Sequence, residues 1–387
     1  MNTRLDAQFE FLLEAEKLRN IERANLIVDC SRCENSAEHS WHLALYALVM
    51  APLAKPEVQI SRVIKMLLLH DLVEIDVGDH PIHEDTNWEA VAKAEDAAAI
   101  RIFGLLPEDQ GSQMLALWRE FEDAKSADAR FAKQLDRSQP IFQTLCGADP
   151  VPEHLEIVTN NLNGGRAASL KTELPKAYAH ARALLSHSEV PSCASFTSRL
   201  DFLNESDGLK GILRATELCN GSRYENSAEH SWHIMLFAWV LAEHSVFDID
   251  IDRCLQMLLL HDIVEIDAGD APIHANIDFQ AIAEKEEAAA ERLFGLLPGE
   301  QSAQFNDLWH EFEAAQSNDA IFAKSIDRVQ PVLLNLEAAA QAGSNTTSLS
   351  SRLIPVWAPR SNSVLQTFGT MFALVSSPGF MRQKSPS

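Results

Sequence analysis

Much of the chain is written twice. "RCENSAEHSWH" at 32 to 42 returns as "RYENSAEHSWH" at 223 to 233, and "HDLVEIDVGD" at 70 to 79 returns as "HDIVEIDAGD" at 261 to 270. The register holds without a gap from Arg32 to Pro140 against Arg223 to Pro331, an offset of 191 residues. That period is far too long for a solenoid unit and matches the size of a domain, so the chain reads as a tandem duplication. Its 387 residues are enough for two separate cores. The expected division is copy one at 1–190, a linker at 191–198 inside "SEVPSCASFTS", copy two at 199–337 and a tail at 338–387. The tail is Ser-rich and contains no Asp or Glu, which suits either a flexible extension or a segment whose original reading frame was lost.

Within each copy the period is helical. Leu43, Tyr46, Ala47 and Met50 fall on one face, Ala, Leu, Glu and Lys dominate, and alternating β-branched runs are scarce. The spacing predicts two all-α bundles. Asn35 with Glu38 three residues on has the form of a capping box, and Gly78 with Pro81 beyond it marks a helix end.

The formal charge of −24 repels polyanions, which argues against a nucleic-acid polymer or an acidic membrane as partner. Any anionic substrate then needs local cations. The acidic start "MNTRLDAQFEFLLEAEK" has no uninterrupted apolar core, and no stretch reaches spanning length, so a cytoplasmic protein is expected. Six irregularly placed cysteines form no disulfide framework. Cys30 and Cys33 make one C-x-x-C whose repeat positions hold Gly221 and Tyr224, so ordinary reduced thiols are expected there.

Polar groups inside the leucine run "MLLLHDLVE" carry the chemistry. On a helix, His70 shares a face with Glu74, and so does Asp71. Buried carboxylate and imidazole side by side are costly unless something pairs them, and a divalent cation does so with its usual ligands. His39 lies on the apolar stripe of its own helix and Asp136 follows Phe131 and Ala132 on another, so three helices bring His39, His70, Asp71 and Asp136 together. Copy two repeats the set as His230, His261, Asp262 and Asp327. A lone buried His or helix Asp is ordinarily structural, but an adjacent pair duplicated at identical spacing points to a metal. His42, one turn from His39, makes a second ion conceivable. Arg32 and Arg223, just before the "ENSAEH" helix start, suit either phosphate binding or ion pairs with nearby Glu.

The order His, then His-Asp, then Asp resembles the HD-domain metal-dependent phosphohydrolases. "ENSAEHS", "HDLVEIDVGDHP" and "LDR", with their copy-two counterparts, are similar to the bacterial 5'-deoxynucleotidase branch of that family. The resemblance implies the eight metal ligands just named and one divalent ion per domain, such as Mn2+, Co2+ or Mg2+. It implies that Glu74 and Glu265 act on the nucleophilic water and that Asp79 and Asp270 contact the sugar. Arg23 and Arg214 are the nearest matches to an arginine that holds the nucleotide, although each is one position out of register and followed by Ala. The substrate implied is a small nucleotide, a (deoxy)nucleoside monophosphate losing its 5'-phosphate. Relatives acting on cyclic, alarmone or triphosphate nucleotides, and a regulatory module that binds nucleotide without turnover, remain alternatives. Single-domain relatives commonly pair, which by analogy suggests an internal pseudo-dimer, with further homo-oligomerisation possible.

Overall fold

The computed structural model describes residues 4–81, 86–189, 193–270 and 278–342. Copy one runs through α1 (Arg4–Ala15), a hairpin of β1 (Glu22–Leu26) and β2 (Cys33–Asn35), α2 (Ser36–Val49), α3 (Ile60–Leu69), α4 (Glu74–Val77), α5 (Trp88–Phe103), α6 (Glu108–Asp123) and α7 (Ala127–Leu145). Three helices then follow: α8 (Pro152–Gly164), α9 (Leu170–Glu173) and α10 (Pro175–Leu185). Copy two repeats the plan with α11 (Ala194–Ser206), β3 (Leu213–Glu217), β4 (Tyr224–Asn226), α12 (Ser227–Leu241), α13 (Ile251–Leu260), α14 (Glu265–Ala268), α15 (Phe279–Phe294), α16 (Gly299–Ala314) and α17 (Asn318–Ala342). The fold is all-α apart from the two antiparallel hairpins, which the helical period did not foretell.

Local chemistry sets the helix ends. The Asn35 side chain accepts from the amides of Ala37 and Glu38 while Glu38 reaches back to the Asn35 amide, the expected capping box, and Asn226 with Glu229 repeats it. The leucine run does not continue as one α-helix through the motif. After Leu69 the backbone bonds tighten to i→i+3, with Glu74 N on the Asp71 carbonyl and Ile75 N on that of Leu72. At three residues per turn Asp71 and Glu74 eclipse rather than stagger, which lines up their carboxylates. Gly78 at φ +75° and Gly269 at φ +76° then turn the chain sharply, a backbone state costly for a side chain with Cβ.

The two copies share one core across α2 and α12. Trp41 and Trp232 are fully buried; their indole N–H groups donate to Leu259 O (3.3 Å) and Leu68 O (3.1 Å), each in the other copy. His42 Nε2 faces Leu203 O at 3.0 Å and His233 Nε2 faces Leu12 O at 2.9 Å, again across the boundary. These imidazoles are thus committed to the junction, away from any second metal. Where α2 and α12 begin, Asn35 Nδ2 donates to Glu229 Oε2 (2.8 Å) and Asn226 Nδ2 to Glu38 Oε1 (2.6 Å). Arg32 grips Glu38 through both terminal nitrogens and donates to Lys210 O; Arg223 does the same with Glu229 and Arg19 O. Burial raises the Glu38 carboxyl pKa, with Arg32 opposing and Glu229 reinforcing the rise.

Two boundaries shift from expectation. Residues 190–192 lie outside the described set, but α11 already begins at Ala194, so most of the expected 191–198 linker is helix. Phe196 explains this: it is 1% exposed and packs against Phe142 and His180. At the other end α17 runs to Ala342, past the expected limit at 337; residues 343–387 lie outside the described set. All six cysteines are free thiols. No described helix is long and apolar enough to cross a membrane.

The inter-copy amide contacts reverse an ordinary capping order. Asp normally caps as well as Asn, and Ala costs about 1 kcal/mol. Asn35→Asp would set a second carboxylate against Glu229, so it should destabilise more than Asn35→Ala, by about 2 kcal/mol or more in urea unfolding. An Asp variant at least as stable as the Ala variant would contradict the contact.

Candidate active site

The tightened turn after α3, the first turn of α2, the middle of α7 and strand β1 meet in copy one. His39 Nε2 lies 3.4 Å from Asp136 Oδ1 and 4.0 Å from Asp71 Oδ2, and His70 Nε2 lies 3.0 Å from Asp71 Oδ1. The His39 and His70 ring centroids are 5.5 Å apart. His70 Nδ1 faces Leu67 O at 2.8 Å, and Phe121 packs edge-on to the ring, which leaves Nε2 turned inward. Copy two repeats this: His230 Nε2 to Asp327 Oδ1 is 3.1 Å, His261 Nε2 to Asp262 Oδ1 is 3.0 Å, and His261 Nδ1 faces Leu258 O at 2.9 Å.

These groups fit a divalent cation. Nε2 of His39, His70 and His261 is buried without a hydrogen-bond partner, a state that costs free energy unless a ligand takes the lone pair. Ligand atoms of His39, His70 and Asp136, and of His230, His261 and Asp262, lie within 4.8 Å of one another. The carboxylates are held ionised. Burial alone would raise the Asp71 carboxyl, yet His70 and Arg23 bring it down to about 2. Asp136 is likewise depressed against burial, chiefly by the histidines. Burial and the Arg23 charge would lower His39, yet Asp136 and Glu34 overcome both and carry it to about 9.

Arg23 is in the centre of this cluster although its sequence register is offset by one. Its guanidinium lies 2.8 Å from Asp71, 3.6 Å from Glu74 and 3.7 Å from Asp79. The β1–β2 hairpin delivers it, an element invisible in the helical pattern. Arg214 lies 2.8 Å from Asp262 and 3.9 Å from both Glu265 and Asp327. Arg32 and Arg223 are not brought to the cluster; their forks close on Glu38 and Glu229 at the copy boundary, so a phosphate role for them is not supported by their placement.

Glu74 has the opposite character to the other acids. Burial and the adjacent Asp71 charge push its carboxyl well above the usual range, against Arg23. Glu265 is raised by the same causes to about 8. The Ser36 hydroxyl donates to Glu74 Oε2, and Ser227 to Glu265 Oε2 at 2.6 Å. Both serines sit inside the repeated "ENSAEHS", so the repeat carried a signal for them that His39 overshadowed. Asp79 is raised by burial against the pull of Arg23, and Asp270 stands close enough to Glu265 to add to its rise.

In copy one the cluster opens into a cleft of about 510 Å³. Its floor is His70, Asp71, Glu74 and Asp136, and its cations are Arg23, Lys133, Arg137 and Arg166. The outer wall comes from α8 and the turn after it, through His154, Asn161 and Arg166. Arg166 lies over the half-exposed Trp88 ring, 4.1 Å from its centroid. Neither residue was singled out in sequence: Arg166 lies outside the repeat, and Trp88 lies inside it but is matched in copy two by Phe279. Copy two shows no counterpart of α8 to α10 among the described residues.

A family model described as HD domain matches residues 15–178 and 206–353. The human protein 5'-deoxynucleotidase HDDC2 is 30% identical over 135 residues, which is 35% of this chain and 65% of that relative, a little under two thirds of its length. The Xenopus laevis 5'-deoxynucleotidase HDDC2 is 30% identical over 148 residues, 38% of this chain and 72% of its own length. The crystal structure of a predicted metal-dependent phosphohydrolase from Magnetospirillum magnetotacticum MS-1 is 41% identical and covers 48% of this chain and 95% of its own, with a TM-score of 0.41.

Chelated protein given Co2+ should develop a visible ligand-field absorption. It should disappear when His70→Ala and His261→Ala are combined; an unchanged spectrum would mean that these imidazoles are not ligands.

Proposed function

The chain belongs to the HD-domain family, and on that premise we propose that its copy-one cleft removes the 5'-phosphate of deoxynucleoside monophosphates. The observation carrying this reading is the buried pair of unpartnered imidazole nitrogens facing ionised Asp71 and Asp136, beside one carboxyl, Glu74, that is raised instead. Relatives named as 5'-deoxynucleotidases support the substrate class. His39, His70, Asp71 and Asp136 would hold one divalent ion, and His230, His261, Asp262 and Asp327 a second. When bound, the ion supplies positive charge to a phosphoryl oxygen and lowers the pKa of a water.

The remaining chemistry belongs to side chains. Ser36 occupies Oε2 of Glu74, which leaves Oε1, 3.6 Å from Arg23, to accept the proton of the attacking water. A carboxyl raised toward neutrality suits that task better than one at its ordinary value. Arg23, pulled between Asp71, Glu74 and Asp79, offsets their charge and supplies a local cation for the phosphate. Asp79 would accept from a sugar hydroxyl. Trp88 and Arg166, stacked at the rim, would receive the base.

We also read 1–190 and 199–337 as two such domains packed as an internal pseudo-dimer; the reciprocal Trp41 and Trp232 contacts support this. Copy two keeps the metal cluster and Glu265 but shows no described counterpart of the α8 wall, so turnover is assigned to copy one.

Phosphate release from a panel of nucleoside and deoxynucleoside monophosphates, with Mn2+, Co2+ or Mg2+ restored after chelation, tests the reaction. His70→Ala should abolish release and His261→Ala should spare most of it; absence of metal-dependent release from every monophosphate would overturn the proposal. Glu74→Gln should lower kcat about 100- to 10,000-fold while metal binding persists. Arg166→Ala or Trp88→Ala should raise KM roughly tenfold with little change in kcat; a loss confined to kcat would remove the rim from substrate binding.

A further inference from the structure

The two histidines of each cluster are held in different ways. His70 and His261 are fixed through Nδ1 by carbonyls of their own helices. His39 and His230 have no such carbonyl. Glu34 Oε1 stands 3.3 Å from His39 Nδ1, and Glu225 Oε1 stands 3.3 Å from His230 Nδ1, ion-pair contacts between atoms that have no hydrogen-bond partner elsewhere. Both carboxylates are wholly buried.

A buried carboxylate needs a cation, and the shortest Lys or Arg contact of each comes across the copy boundary. Lys210, in the 3-10 turn that follows α11 in copy two, is fully buried and places Nζ 3.0 Å from Glu34 Oε2. Arg19, at the matching place in copy one, sets Nη1 2.9 Å from Glu225 Oε2, with neither side chain exposed. Within their own halves these carboxylates meet only longer contacts to cations, Arg23 Nε at 3.6 Å and Arg214 Nε at 3.5 Å. The Gln143 amide adds a hydrogen bond to Glu34 at 3.2 Å.

We propose that the first histidine of each metal cluster is positioned from the opposite half: Lys210 holds Glu34 against His39, and Arg19 holds Glu225 against His230. An imidazole that binds metal through Nε2 must carry its proton on Nδ1, and a carboxylate there selects that tautomer and orients the ring. Lys210 and Arg19 hold those carboxylates in place through contacts of 3.0 and 2.9 Å. The affinity of each site for its ion is therefore set by a residue of the other copy. The inference rests on His39 and His230 being ligands and goes beyond it by crossing the assignment.

Mn2+ titration followed by electron paramagnetic resonance reads the two sites separately in full-length protein, with His261→Ala leaving only the copy-one site and His70→Ala only the copy-two site. In the His261→Ala chain, adding Lys210→Met should weaken Mn2+ binding about 10- to 100-fold. In the His70→Ala chain the same change should leave affinity within about twofold. Arg19→Met should give the mirror image, and Lys210→Arg, which keeps the charge, should recover most of the copy-one affinity. Should Lys210→Met fail to fold, Glu34→Gln with Lys210→Met removes both buried charges and should match Glu34→Gln alone in copy-one affinity. Equal weakening of both sites, no weakening of either, or a further tenfold loss in that double variant would overturn the crossed positioning. A His261→Ala parent that takes up no Mn2+ at all would instead remove the ligand reading, and the inference with it.

Discussion

A carboxylate with no exposed surface is tolerable only beside a cation, and Glu34 and Glu225 each have their nearest one in the opposite half. That requirement ties the architecture together. Lys210 and Arg19 end the first helical segment of each copy, Asp207 and Glu16 precede them, and the loops after β1 and β3 donate Val28 N to Asp207 and Cys219 N to Glu16. The α2 and α12 starts, the hairpins and the first segments therefore interlock as one buried polar layer between the two metal clusters. Separating the halves would strand several charges in apolar surroundings, a penalty of several kcal/mol for each unpaired ion.

The clusters depend on opposed treatment of like groups. Asp71 and Asp136 are held ionised by histidine and arginine, whereas Glu74, one tightened turn beyond Asp71, is held up by burial and by the charge of Asp71 itself. Acids driven apart in this way are suited to different tasks. The left-handed glycine at 78 ends the short helix and brings Asp79 back toward Arg23, so one backbone turn supplies three carboxyls at graded positions around one guanidinium.

Much of this was legible as text. A leucine run broken by His-Asp and repeated at a fixed offset pointed to buried polar groups, and the helical period and the "ENSAE" caps pointed to the bundle. The text was silent where partners are far apart in sequence. Nothing near Arg32 tells whether it reaches outward to phosphate or sideways to Glu38; the choice follows from Lys210 O, which only the fold brings near. Trp88, matched in copy two only by Phe279, and Arg166, beyond the repeat, belonged to no motif and became visible only once α8 closed over the cleft. Arg23 was named through the family resemblance alone; the hairpin that points it into the cluster was not foreseen.

Two identical chains meeting on a two-fold axis must use one residue for both sides of every symmetric contact. A chain that carries both halves is free of that rule, and the buried layer shows it. One side carries Glu16 and Arg19, the other Asp207 against Lys210, a shorter acid and a slimmer base at matching places. A substitution in either copy is then felt in the opposite pocket, where a compensating change can follow without being copied back. Covalent linkage thus lets two halves of common ancestry become a lock and its own distinct key.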